Sequence, residues 1–348
     1  MASNVGTWMQ SVGASWLMTL LTPSPLLVAL MQTATSLPVF LVGLPAGAIA
    51  DIVDRRKLLL LTQGWMLVMA TLLGLLTIAN LTSTWVLLLL TFLLGLGGAF
   101  NAPAWQAIVP ELVGPRLVAQ AVALNSAGFN LARAVGPALG GFVVALAGPG
   151  AVFLLNSASF VGVMLAIYLW RREHVESASP PERVFGAIVA GVRYARHSFA
   201  LRIVLVRVGV FILAASALWA LLPIVARREL GLDASGYGLL LGSLGLGAVI
   251  GALLLPRVRQ AIPVDTLSVI STLVFALATL ALGYLQNVAL LSFVLLLGGL
   301  AWMAIMSSLN VAAQGAAPAW VRARALAVYL LVFQSGTALG SFGWGVLA

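Results

Sequence analysis

Apolar runs about as long as a bilayer is thick follow one another along the whole chain, separated by short breaks rich in Pro, Gly, Asp, Arg or Ser. A hydrocarbon core of roughly 30 Å takes about 20 residues of helix, so cutting at the charged and turn-rich breaks predicts eleven spans. They cover 4–21, 25–50, 57–79, 84–109, 118–146, 149–170, 201–226, 235–256, 264–285, 287–310 and 323–348. No run alternates apolar and polar residues with period two, so the elements read as helices and not as barrel strands. The pattern predicts an all-α integral membrane protein.

Composition narrows the class further. Of 348 residues, 62% are hydrophobic and only 8% charged, and mean hydropathy is +1.10. A soluble domain of that size covers itself with polar groups, which this chain does not have. The net charge of +9 comes from bases clustered on one side of the predicted topology. Arg55, Arg56, Lys57, Arg116, Arg171, Arg172, Arg183, Arg193, Arg196, Arg202, Arg257, Arg259, Arg322 and Arg324 share one face, 14 of the 18 bases. Only Arg227 and Arg228 fall on the other, while Arg133 and Arg207 fall within spans. By the positive-inside rule the first face is cytoplasmic. It meets anionic membrane lipid, so the basic charge calls for no nucleic-acid partner. Seventeen arginines against one lysine suggest a GC-rich bacterial genome, hence an inner membrane.

The longest polar interruption, 171–200, carries both histidines, His174 and His197. It divides the chain into a first bundle of six helices (1–170), a cytoplasmic middle loop (171–200) and a second bundle of five helices (201–348). Weak internal similarity supports parallel halves. Gly47, Ala48 and Arg55 match Gly251, Ala252 and Arg259 at an offset of 204, and Asn101 and Gln106 match Asn310 and Gln314 at 209 and 208.

Four stretches carry a family resemblance. They are Gly47-Ala-Ile-Ala-Asp51-Ile-Val-Asp54-Arg55-Arg56-Lys57, Val109-Pro-Glu-Leu-Val113, Ala123-Leu-Asn-Ser126 and Asn130-Leu-Ala-Arg133-Ala-Val-Gly136-Pro137-Ala-Leu-Gly140-Gly141. In them the chain resembles the major facilitator superfamily over nearly its full length, and within it the enterobactin-exporter-like subgroup, the transmembrane secretion effectors. The resemblance implies two parallel-repeat helix bundles around a central cavity. Members have twelve spans. Against that pattern this chain starts inside the first helix and ends at the eleventh, as if truncated at both ends, with the twelfth span missing.

The first stretch resembles the superfamily's gating loop, with Gly47 for close packing, Asp51 for pairing with a helix end or an arginine, and Asp54, Arg55 and Arg56 at the inner gate. Ile52 and Asp54 stand where the motif usually has a base and a glycine. The alternative is a solvated turn that only sets topology. Gly136, Pro137, Gly140 and Gly141 resemble the Gly-Pro motif of antiporters. Physically, Pro137 frees a carbonyl and bends its helix while the glycines admit a neighbour; the alternative is a plain structural kink.

Arg133 is the most costly residue here, because a guanidinium inside a span requires a cavity or a partner. At helical spacing it shares a stripe with Ser126, Asn130, Pro137 and Gly141. That stripe, with Asn125, Trp8, Ser11, Gln32, Gln334 and Thr337, forms the candidate substrate cavity. The rival role for Arg133 is to brace the bundle. Asn4, Ser15, Ser341 and Trp219 are weaker candidates.

All nine acids lie in or beside loops, so no embedded carboxylate offers a proton site. Proton antiport is implied by the resemblance alone. The chain has no phosphate-binding Gly-Lys-Ser/Thr loop and no cysteine, which removes ATP-driven pumping, thiolate metal sites and disulfides from consideration. No cofactor or metal is expected, and no nucleophile or acid pair equips an enzyme. The expectation is a monomeric secondary transporter that exports a small amphipathic molecule, such as a siderophore, drug or metabolite, by alternating access. An importer of the same fold and a non-transporting fragment or scaffold are the alternatives.

Overall fold

The computed structural model describes residues 1–113, 115–170, 192–318 and 321–348, without the side chains of Asp51, Pro115 and Ala323. Ten long helices make up these residues: α1 (Ala2–Leu21), α2 (Pro25–Ile52), α3 (Arg55–Ile78), α4 (Thr84–Ile108), α5 (Val118–Leu169), α6 (Phe199–Ile224), α7 (Ala234–Ala261), α8 (Val264–Tyr284), α9 (Val288–Gly315) and α10 (Arg322–Leu347). Nine of them are long and apolar enough to cross a membrane. Arg171, Arg172, Glu173, His174 and the rest of 171–191 lie outside the described residues.

Helix ends fall where the chain supplies a cap. Asp54 accepts from the Lys57 amide at 3.0 Å, Ser198 from Leu201 at 3.3 Å and Asn287 from Leu290 at 3.0 Å. Each satisfies an amide that the first helical turn leaves without a partner. Asp233 caps α7 through Ser235 Oγ at 2.6 Å and the Gly236 amide at 2.9 Å. These two donors hold its carboxyl below the ordinary carboxylate range.

The 52 residues of α5 run continuously across two crossings, the predicted spans 118–146 and 149–170, and turn at Gly148. There φ is +78° and ψ 167°, outside the helical region. Pro149 disfavours helical backbone at the residue before it, and only glycine takes this φ freely, so Gly148-Pro149 makes the corner with no intervening loop.

Packing follows chain topology. Helix α1 lies along α5, α3 along α5 and α4, and α2 along α4; α9 lies along α7 and α8, and α6 along α10. These two groups meet along α5 with α7 and along α2 with α10. Apolar contact continues through the first seam, where Met9, Val12, Trp16 and Val144 join Tyr237, Leu240 and Leu244 in one cluster.

Several polar groups inside the bundles are paired across helices. Asn156 in α5 donates to Gln10 in α1, both buried. Asn101 Oδ1 accepts from Thr62 and Gln63, each at 3.2 Å. Gln10→Leu strips the buried Asn156 amide of its acceptor. The expected loss is about 1–3 kcal/mol, read as a lower thermal midpoint of the detergent-solubilised chain.

A candidate transport site between the bundles

The seam between α5 and α7 is built of backbone against backbone. A Cβ placed on Gly245 would stand 2.7 Å from the Arg133 carbonyl oxygen, and one on Gly238 would stand 2.6 Å from the Pro137 carbonyl. Gly141 meets the Ala234 carbonyl and the Gly238 Cα in the same way. Because Pro137 has no N–H, the Arg133 carbonyl one turn before it loses its helical partner. Gly245, having no Cβ, lets α7 come up against that freed oxygen. On its other face α5 offers Gly136 and Gly140 to Trp8 and Met9 of α1. The candidate kink motif therefore has two packing faces, one within its bundle and one across the seam. The break from helical dihedrals in this long helix comes later, at Gly148.

Gly136 lies three residues after Arg133, and its missing Cβ lets Trp8 lean over the guanidinium. The ring centroid of Trp8 is 5.7 Å from Arg133 Cζ. Trp219 of α6 stands at 5.7 Å and Trp302 of α9 at 5.9 Å. Three indoles from three helices thus surround one cation. Trp8 and Arg133 belong to the first bundle, Trp219 and Trp302 to the second. Trp302 is itself fixed by Phe211 at 5.9 Å, Phe275 at 5.5 Å and Phe333 at 6.3 Å. Arg133, Trp8, Pro137, Trp219 and Gly245 line a tight space at this point.

Magnitudes explain how Arg133 is tolerated and what it still lacks. Insertion scales charge an arginine at mid-helix about 2.5–3.5 kcal/mol, and each cation–π contact returns about 0.5–2 kcal/mol. Three contacts offset most of that cost. They do not satisfy the N–H groups. Nε is shut off from solvent with no hydrogen-bond acceptor, and no ion pair to Arg133 is present among the described residues. A planar donor fork without an acceptor has the geometry that pairs with a carboxylate or another flat anion.

Other predicted cavity residues are spread more widely. Asn125 accepts from Trp105 Nε1 at 3.2 Å. Asn130 donates to the Ser126 carbonyl of its own helix at 3.0 Å, Ser11 to Thr7 at 3.0 Å and Thr337 to Phe333 at 2.9 Å. Their polar atoms are thus engaged locally. Gln32 and Gln334 are half-buried on the facing helices α2 and α10. Of the candidate cavity residues, the structure brings Trp8 and Arg133 together and adds Trp219 and Trp302. Sequence reasoning missed Trp302, since nothing in its surroundings distinguishes it from a lipid-facing tryptophan.

In the predicted gating loop a Cβ on Gly47 would meet nothing within 4 Å, so its face of α2 looks into open space in this state. The side chain of Asp51 lies outside the described residues. Arg55 pairs with Glu111 and reaches the Ala107 carbonyl at 3.3 Å. Arg56 donates to the carbonyls of Ile167 at 3.1 Å and Tyr168 at 2.6 Å and covers the Tyr168 ring at 5.8 Å. Both arginines tie together helix ends of the first bundle. At the related place in the second, Arg259 donates to Ser307 and Ser308 of α9 at 3.1 and 3.3 Å. The same device is present there with hydroxyls in place of the carboxylate.

Contacts across the seams gather toward the end of the molecule that holds the 22–24 linker. There Arg228 donates to the Pro23 carbonyl, Trp16 stacks on Tyr237 at 6.0 Å, Thr33 donates to Ala338 at 3.0 Å, and a Cβ on Gly345 would lie 3.0 Å from Leu26 Cα. Toward the opposite end, which holds Arg55, Gly47 and Gly128 face open space and Leu124 is 75% exposed.

Over its whole length, residues 1–348, the chain matches the family described as transmembrane secretion effector. The chain belongs to that family. Its curated relatives include the staphyloferrin A transporter of Staphylococcus aureus (strain NCTC 8325 / PS 47), 23% identical over 84% of this chain and 74% of the relative. The multidrug efflux pump Tap of Mycolicibacterium fortuitum is 26% identical over 100% of this chain and 87% of the relative. The enterobactin exporter EntS of Salmonella typhi is 29% identical over 73% of this chain and 60% of its own length. A solved bacterial homologue of the human lysosomal transporter Spinster, inward-facing and occupied, shares the fold with a TM-score of 0.76 at 17% identity, covering 99% of this chain and 79% of that one. This transmembrane secretion effector is therefore a multi-pass membrane transporter of the major facilitator type, related to siderophore and drug efflux proteins, and not an enzyme.

Proposed function

We propose that this chain exports a small amphipathic molecule across the bacterial inner membrane by alternating access, with its path through the space at Arg133. One observation carries the reading: a cation with free donors lies between the two bundles, framed by side chains from both, so rocking one bundle against the other must remake its surroundings. The Pro23 end is the periplasmic side and the basic Arg55 end the cytoplasmic side, in keeping with the positive-inside rule. Seam contacts gathered at the Pro23 end support reading this state as inward-facing, ready to load from the cytoplasm. The relatives, a siderophore transporter, a siderophore exporter and a multidrug pump, favour amphipathic cargo and the outward direction. The two bundles, 1–170 and 201–348, joined by the 171–200 loop, act as the moving bodies, and a monomer suffices.

Proton antiport is the coupling that the family resemblance implies. Efflux of a panel of fluorescent dyes and a catecholate siderophore from expressing cells tests direction and coupling together. The expected result is export above empty-vector cells that collapses with a protonophore. Export that survives the protonophore removes proton coupling, and accumulation in place of loss reverses the direction. In the same assay Asp51→Asn is expected to slow export severalfold at unchanged expression if the loop gates; an unchanged rate reduces it to a topology signal.

A further inference from the structure

The Arg133 cage joins the two bundles, and this observation reaches beyond a general transport path. The first bundle supplies the cation and Trp8, while the second supplies Trp219 and Trp302 at 5.7 and 5.9 Å. Guanidinium–indole attraction across the seam therefore holds α6 and α9 to α5 in the state seen here. What the cation lacks is an acceptor, since its Nε is enclosed and bonds to nothing. An anion in the adjoining space would be bound by charge-assisted hydrogen bonds, which are stronger and more directional than the contacts to indole faces.

We infer that Arg133 is an anion-released clasp: an aromatic anion of the cargo takes the guanidinium as its partner, and by doing so loosens the hold on Trp219 and Trp302 that keeps the bundles apart at the Arg55 end. The wall beside the cation suits a ring-bearing anion in particular. Trp302 is buried among Phe211, Phe275 and Phe333, but Trp8 and Trp219 are half-buried at 5.7 Å from the guanidinium, so an aryl carboxylate can stack on one of these two indoles while its carboxylate meets the fork. Neutral and cationic aromatics can stack there but give the guanidinium nothing, and the clasp stays shut. The inference rests on the transport path proposed above and adds the cargo class and the trigger.

The test uses the purified full chain in lipid nanodiscs with benzoate, benzyl alcohol and benzylamine as probes. Tryptophan fluorescence reports binding. Spin labels on Ser126→Cys and Gln260→Cys report the separation of α5 and α7 at the Arg55 end, unambiguously because the chain has no native cysteine. The expected result is a saturable fluorescence change and a shortened label distance with benzoate and neither with the other two probes. In Arg133→Gln the half-saturating benzoate concentration should rise at least roughly tenfold, and the distance should already be short and not respond to benzoate. Trp219→Leu should shorten the distance without any benzoate. Equal responses to benzoate and benzyl alcohol, or a benzoate response undiminished in Arg133→Gln, overturn the inference. If Arg133→Gln fails to fold, Arg133→Lys keeps a charge at that depth without the planar fork. A half-saturation then raised about fivefold or more supports the clasp, and an unchanged one overturns it. Cells that export dye while the purified chain ignores benzoate sink the clasp and leave the carrier standing. A chain that answers benzoate while no cargo leaves cells does the reverse.

Discussion

Arg133→Ala is expected to yield a chain that folds and reaches the membrane but exports anionic cargo at least about tenfold more slowly, the size of one lost charge-assisted hydrogen bond or more. Folding should survive because the substitution removes a cost along with a benefit. The buried cation and its three indole contacts nearly balance, so their joint loss leaves a small cavity beside Trp8, Trp219 and Trp302 and no unpaired charge. Function should not survive, since no other base lies in the described part of that space. Transport of anionic and neutral dyes side by side checks this: the anionic rate should fall far more than the neutral one. Loss of folded protein in size-exclusion profiles would instead assign Arg133 a bracing role.

A second large effect is expected from Gly141→Val. Any Cβ at this position collides with the Ala234 carbonyl and comes within 2.8 Å of Gly238 Cα. Both obstacles are backbone, so no rotamer change relieves them. Overpacking of this kind costs about 1–3 kcal/mol, borne only by the state in which α5 and α7 are closed at the Pro23 end. By population arithmetic that is roughly a 5- to 150-fold shift away from that state. Export should drop accordingly while expression holds, and paired labels at the Pro23 end should separate. Gly162→Val, on the same helix in open space, serves as the control and should transport as the parent does.

Much of this architecture is legible in the sequence because lipid leaves few choices. Apolar run lengths locate the spans, while the caps at Asp54, Ser198, Asp233 and Asn287 and the corner at Gly148-Pro149 emerge from the structure. Arg133 stands out for the same reason, as a charge where charge is expensive. What could not be read is azimuth and partnership. Helical spacing groups Ser126, Asn130, Arg133, Pro137 and Gly141 on one stripe. It does not say that Pro137 and Gly141 press on α7 while Asn130 bonds back to Ser126. Trp219 and Trp302 lie 83 residues apart on helices where apolar residues occupy every face, so no periodicity could pair them around a cation from the other bundle. Gly47, which a motif resemblance assigns to close packing, faces open space in this state. Arg55 and Arg56 are likewise bound to carbonyls and a carboxylate of their own bundle, contacts that sequence spacing cannot reveal.

Alternating access between the two bundles is the centre of the account, and a reversible bridge across the closed end tests it most directly. Arg228 and Pro23 are exposed, lie in different bundles and are hydrogen-bonded to each other. With Pro23→Cys and Arg228→Cys in the otherwise cysteine-free chain, a short bifunctional thiosulfonate should join them within one molecule. The account predicts that bridged chains, verified by mass, cease export in reconstituted vesicles and recover it when a reductant cuts the bridge. Export that continues undiminished through a complete bridge would contradict it, because the Pro23 end would then never need to open.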